Sequence, residues 1–191
     1  MSDSPVDRRA FFTLGFRRVI GSAIESVEKK ASLGGHIRPP GALVEPAFLA
    51  ACTRCGECER ACPVHAIRPL GTQFGLASGT PALHPALTAC VMCDGMPCAA
   101  ACPTPALEVP ENGWRGVRMS RITIDESRCI AFHDTECGVC SRVCPVGNDA
   151  LRLDARGRPV IGDACTGCGS CVGACVTAPS SLLVNDRGRL N

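Results

Sequence analysis

The chain has 191 residues, a formal charge of +2, one tryptophan, no tyrosine and sixteen cysteines. Aromatic residues make up only 4 % of it, so side-chain burial is thin for this length and ordinary hydrophobic packing alone does not account for a stable body. The basic excess lies in the first forty residues, which argues against nucleic-acid binding by the remainder. The longest uncharged run, 69–93, is broken by glycines and by Pro81 and Pro85, which excludes a bilayer-spanning segment there.

Residues 1–30 are expected to form a basic amphipathic helix, because Phe12, Phe16, Val19, Ile20, Ala23, Ile24 and Val27 draw one stripe down a helical surface. Such a helix would dock on a membrane surface or an acidic partner, or pack on its own body. Its start, Asp7-Arg8-Arg9-Ala10-Phe11-Phe12, resembles a twin-arginine export signal. Arg17 and Arg18 interrupt the apolar region such a signal needs, and Glu25, Glu28, Lys29 and Lys30 follow soon after. The expected location is therefore the cytoplasm or the cytoplasmic membrane face, with periplasmic export by the twin-arginine route as the alternative. Residues 31–46 hold Gly34-Gly35, Pro39-Pro40-Gly41 and Pro46 and read as a linker. A body over 47–184 and a tail over 185–191 complete the expected organisation.

All sixteen cysteines of the body fall into quartets: Cys52, Cys55, Cys58, Cys62; Cys90, Cys93, Cys98, Cys102; Cys129, Cys137, Cys140, Cys144; Cys165, Cys168, Cys171, Cys175. The first and fourth match C-x2-C-x2-C-x3-C, the ligand run of bacterial [4Fe-4S] ferredoxins, in which the fourth cysteine ligates the partner cluster. A cubane needs three thiolates converging from a tight loop and a fourth arriving from elsewhere, and this spacing supplies both. Zinc sites bring two C-x2-C pairs together across a longer spacer. Neighbouring C-x2-C thiols also make poor disulfide staples. The second quartet carries a short insertion before Cys98, and the third has seven residues between Cys129 and Cys137, so that loop is expected to bulge.

Proline follows the fourth cysteine in three quartets, at Pro63, Pro103 and Pro145, and short helices are expected to begin near Cys62, Cys102, Cys144 and Cys175. Strand character is expected over 117–124, together with a hairpin in which Leu151 and Leu153 face Val160 and Ile161. The fold class is thus α+β and loop-rich, with two bacterial-ferredoxin-like two-cluster units. Four oxidised cubanes with their thiolates would carry the holoprotein to a charge of roughly −6.

Gly56, Gly167 and Gly169 would let backbone N–H groups approach cluster sulfur. His133 is expected on a surface loop and not as a ligand, and Trp114 is expected to pack under the linker, with shielding of a cluster as the alternative. With complete cysteine ligation, no phosphate-binding glycine loop and no nucleophile–base pattern, the chain reads as an electron carrier and not an enzyme. A zinc-binding structural or interaction module is the alternative.

The run Arg38-Pro39-Pro40-Gly41-Ala42 ahead of Phe48-Leu49, the second quartet written CVMCDGMPCAAACP, the segment DESRCIAF and the fourth quartet in DACTGCGSC together resemble the MauM/NapG family of ferredoxin-type proteins. The resemblance implies that all sixteen cysteines ligate four [4Fe-4S] clusters. It also implies a redox partnership with a membrane quinol dehydrogenase and a terminal reductase or dehydrogenase. Analogy with four-cluster subunits of molybdenum oxidoreductases favours nested pairing, with Cys175 completing the first site, Cys62 the fourth, Cys144 the second and Cys102 the third. Tandem pairing would exchange only these fourth ligands.

Overall fold

The computed structural model describes residues 36–185; the expected N-terminal helix and most of the expected tail lie outside them. The described chain builds two lobes of the same plan. In each, an outer antiparallel pairing joins start to end, and an inner antiparallel pairing joins the two cysteine motifs.

In the first lobe the outer pairing is a single bridge, Ala42 with Leu107, supported by Leu43 N–H donating to the Ala106 carbonyl at 3.2 Å and Glu108 N–H to Gly41 at 3.0 Å. The inner pairing is β1 (Ile67–Pro69) with β2 (Pro81–Leu83), in the register Ile67 opposite Leu83. The helices are α1 (Glu45–Ala51), α2 (Glu57–Arg60) and α3 (Pro97–Ala100). In the second lobe the outer pairing is complete: β3 (Arg121–Ile124) lies against β6 (Leu182–Asn185), Ile122 opposite Val184. The inner one is the hairpin of β4 (Leu151–Leu153) and β5 (Pro159–Ile161), and its helices are α4 (Val139–Arg142) and α5 (Ser170–Gly173).

The hairpin follows from its sequence. Leu151 and Leu153 alternate with Arg152 on the first arm, the second arm Pro159-Val160-Ile161 is apolar throughout, and Asp154 Oδ1 accepts the N–H groups of Arg156 and Arg158 at 2.8 and 2.9 Å to close the turn. Each lobe has a small apolar cluster of its own. Ile37, Phe48, Ile67, Leu83, Met96, Leu107, Val117 and Met119 fill the first, and Ile122, Leu151 and Leu182 the second. Cysteines belong to both clusters, so the sulfur sites are structural parts of the cores.

Three expectations are corrected. From His36 on, the supposed linker belongs to the body: His36, Ile37, Arg38, Pro39 and Pro40 are buried, and Ile37 pairs with Leu83. Its prolines and glycines shape a packed turn, in which Gly41 has φ +77 and an added Cβ would stand 1.9 Å from the Glu108 oxygen. The short helices do not begin at the fourth cysteines. They carry the third cysteine of each motif and end before the fourth; in the first three motifs the proline after the fourth cysteine biases that residue away from helix. The last strand reaches Asn185, one residue into the expected tail. Among the described residues no helix is long and apolar enough to cross a membrane.

Candidate cluster sites

One backbone device places the third thiol of every motif. Gly56, Gly138 and Gly169 adopt φ of +77, +84 and +82 as the N-caps of α2, α4 and α5, turning the loop sharply so that Cys58, Cys140 and Cys171 enter a helical turn and face inward. In the second motif Met96 does this with φ +46. The two extra residues before Cys98, Asp94 and Gly95, are absorbed ahead of this turn and leave the helical end unchanged. A second left-handed residue precedes the second cysteine in three motifs: Arg54 (φ +59), Met92 (φ +56) and Gly167 (φ +72). Arg54 is held there by donating to the Ser78 and Leu76 carbonyls at 3.0 and 2.9 Å.

The thiols gather in four hollows. Cys52, Cys55, Cys58 and Cys102 border site 1; Cys62, Cys90, Cys93 and Cys98 border site 2. Cys129, Cys137, Cys140 and Cys175 border site 3; Cys144, Cys165, Cys168 and Cys171 border site 4. Each site takes three thiols from one motif and its fourth from the other motif of the same lobe. This is the tandem arrangement, and it overturns the nested one: Cys102 is with site 1 and not site 3, Cys62 with site 2, Cys144 with site 4, Cys175 with site 3. The physical reason is the plan of each lobe. The inner strand pair folds the second motif back on the first, so that α2 packs against α3 and α4 against α5. The wide spacing after Cys129 is taken up by a turn of 3-10 helix over Ile130–Phe132, which leaves Cys129 beside Cys137 and Cys140.

The donor set suits a cage more than a lone ion. Among the described residues no three His, Cys, Asp or Glu side chains close tightly enough around one point to hold a single metal ion. The thiols line instead the walls of four hollows, each open in part to solvent. Burial, with neighbouring thiolates adding to it, pushes the thiols of Cys58 and Cys90 up to about 11 and those of Cys98 and Cys171 up to about 12. Thiols raised this way stay protonated on their own, and a cationic occupant would be what converts them to thiolate ligands. Burial also raises Cys175, yet hydrogen bonds with the Ser181 and Thr177 hydroxyls, at 3.3 and 3.2 Å, outweigh it and bring Cys175 to about 6. Cys62 Sγ accepts the Ala66 N–H at 3.3 Å. Cys55 is the one exposed cysteine, at the rim of site 1.

His133 is exposed, and its Nε2 lies 3.0 Å from the Ser127 carbonyl, away from the site 3 thiols. Trp114 packs against the first apolar cluster and also takes the other role open to it, beside a cluster site. It borders the hollow of site 2 and its indole N–H donates to the Cys93 carbonyl at 3.1 Å. Sequence alone does not say which cluster Trp114 would shield, because the contact joins residues 21 apart through a loop with no periodicity.

Comparison with known proteins defines the class. A family model described as a 4Fe-4S dicluster domain matches residues 51–106 and again 89–148, and a second of the same description matches 121–176. The first and last matches coincide with the two lobes, while the middle one straddles motifs whose thiols do not meet. The chain is 35 % identical over 185 residues to the ferredoxin-type protein NapG of Escherichia coli, covering 90 % of this chain and 80 % of that one. It is 38 % identical over 181 residues to the methylamine utilization ferredoxin-type protein MauM of Methylorubrum extorquens, covering 86 % and 78 %. A polyferredoxin-like subunit of an aliphatic sulfonate oxidoreductase from Pyrococcus furiosus is 32 % identical over 136 residues, covering 69 % and 70 %. No solved structure matches the chain. The fold and site thus define an iron-sulfur electron-transfer protein with 4Fe-4S dicluster domains. Within that class, the chain belongs to the NapG and MauM family of ferredoxin-type proteins.

Proposed function

We propose that the protein carries four [4Fe-4S] clusters, one in each hollow, ligated by all sixteen cysteines in the tandem sets given above, and that it passes electrons between a quinol-linked membrane donor and a terminal oxidoreductase. The observation that carries the reading is the repeated geometry of three thiols from one motif and one from its lobe partner, as a shared-ligand dicluster unit requires. A cubane there would exchange one electron at a time. With four protein thiols at each site, no thiol-free edge is left for substrate on iron, and the chain's residues act by holding the sulfur, excluding water and donating hydrogen bonds to it. We place this relay in the cytoplasm or at the cytoplasmic membrane face, with the basic N-terminal segment as its point of attachment.

Iron and acid-labile sulfide in equal amounts, four of each per site, together with broad visible absorption, are the expected result for the native holoprotein. Colourless, zinc-loaded protein would overturn the reading. Ligand sharing is checked by Cys102→Ala and Cys52→Ala, which should disturb one and the same electron paramagnetic resonance signal; a shared signal between Cys102→Ala and Cys129→Ala would restore nesting. A reporter fused behind Gly35 should stay inside the cell, and its translocation by the twin-arginine route would move the relay to the periplasm.

A further inference from the structure

The lobes meet where motif 4 passes motif 2. Ser170 Oγ donates to the Cys90 carbonyl at 3.3 Å and lies 3.4 Å from Cys168 Sγ, so one hydroxyl touches the backbone of a site 2 cysteine and the sulfur of a site 4 cysteine. Beside it, Thr166 Oγ1 donates to Met92 Sδ at 3.5 Å, and Ser120 Oγ donates to the Gly167 carbonyl at 2.8 Å. Cys168 is buried in the same apolar cluster as Cys90.

Missing side chains allow this approach. A Cβ on Gly169 would stand 2.4 Å from Pro85 Cγ, and one on Gly173 2.3 Å from the Pro85 oxygen. Gly169 has a positive φ that explains its glycine. Gly173 does not: it ends α5 with φ outside the left-handed region, where alanine would serve a helix better. The equivalent position, two after the third cysteine, is Arg60, Ala100 and Arg142 in the other motifs; Gly173 is exposed as they are, and what distinguishes it is the Pro85 oxygen standing where its Cβ would go. Glycine stands only where the lobes touch.

The remaining neighbours follow from the cores. Cys58, Cys62 and Cys98 share one buried cluster, joining sites 1 and 2. Cys140 and Cys171 share another, joining sites 3 and 4. We infer that electrons run through the sites in the order 1, 2, 4, 3, which is not their order in the sequence, and that Gly173 and Ser170 are positioning residues for the crossing between lobes. Gly173 sets the distance, and the Ser170 hydroxyl offers a hydrogen-bonded path from Cys90 to Cys168. Electron-transfer rates fall exponentially with separation, so a widened seam slows this step and leaves the hops within each lobe intact. The terminal sites are then 1 and 3, and the exposed Cys55 marks one end for a redox partner.

This inference rests on the four-cluster reading, and one experiment separates the two. Wild type, Gly173→Val and Ser170→Ala holoproteins are analysed for iron and sulfide, then reduced with dithionite and examined for magnetic coupling between clusters. Gly173→Val should keep its iron and lose the coupling of one neighbouring pair. Ser170→Ala, which adds no bulk, should keep the distance-dependent dipolar coupling of that pair and lose its exchange component. Gly173→Ala serves in place of the valine variant if the latter loses iron. Full iron with unchanged coupling in the glycine and serine variants overturns the relay order alone, whereas a wild type without iron and sulfide overturns the function beneath it.

Discussion

Arg38 is 4 % exposed and uses all three of its guanidinium nitrogens. Its Nε and Nη2 hold the Glu45 carboxylate at 2.9 and 2.6 Å, its Nη1 reaches the Thr80 hydroxyl and the Pro81 carbonyl at 2.8 and 2.7 Å, and its guanidinium lies 4.5 Å over the Phe48 ring. Glu45 opens α1 and Phe48 lines site 1, so this one side chain fixes the helix that delivers Cys52. Arg38→Met should cost about 2–3 kcal/mol and should show as earlier thermal bleaching, with site 1 lost first. Burial raises the Glu45 carboxyl, but the hydrogen bonds from Arg38 and His36 outweigh it and hold Glu45 down at about 2. A folded pKa below the unfolded value of about 4.3 contributes stability above that value and loses it as the pH falls toward 2. Wild type should therefore outlast Glu45→Gln in bleaching assays at pH 6, and the gap should begin to narrow below about pH 4 and shrink toward pH 2; a gap independent of pH refutes the assignment. At the other end of the molecule, Ser181 is 2 % exposed and its hydroxyl bonds the Cys175 sulfur. Ser181→Ala should lower the reduction potential of site 3 by roughly 40 mV, the equivalent of one hydrogen bond of about 1 kcal/mol in a one-electron couple, as read in a redox titration.

At the scale of elements, what the sequence discloses depends on how far away the deciding partner lies. The β4–β5 hairpin was legible because its alternation and its Asp154 turn are local. β1 and β2 were not: each is three residues long and contains proline, and their pairing is fixed by Ile37 and Leu83 meeting across the lobe. The stretch 36–46 has the composition of a linker, and only Thr80, Pro81 and Glu108 reveal it as packed structure. Cluster pairing was illegible because exchanging fourth ligands leaves every spacing unchanged; the short inner strand pairs decide it. Gly41 tests the point. With φ +77 and the Glu108 oxygen 1.9 Å from an added Cβ, Gly41→Ala should destabilise the first lobe by about 2 kcal/mol or more, while Gly157→Ala, also at positive φ but with open space around it, should cost less. Equal losses of thermal stability would mean that conformation alone, and not the closure of the outer pairing, sets the requirement.

Across the whole molecule, the thiols stand in for much of a core. Cys58, Cys62, Cys90 and Cys98 lie in the buried cluster of the first lobe, joined there by Cys168 from across the seam, and Cys140 and Cys171 in that of the second, where sheets of two short strands supply little burial of their own. Without a cation-rich occupant these positions hold facing thiols around empty space. Binding free energy is then folding free energy, and removing iron should unfold both lobes. The single tryptophan makes this measurable at one site, because Trp114 borders site 2 and its emission should be quenched by an absorbing cluster there. When the holoprotein is treated with an iron chelator under oxidising conditions, visible absorption reports all sites and Trp114 fluorescence reports site 2. Sites that share ligand motifs within a lobe and touch through Ser170 and Cys90 between lobes should fall together, so the two signals should change with one time course. Early bleaching with late recovery of fluorescence would show instead that the lobes disassemble separately and that the seam joins them for electron passage without coupling their stability.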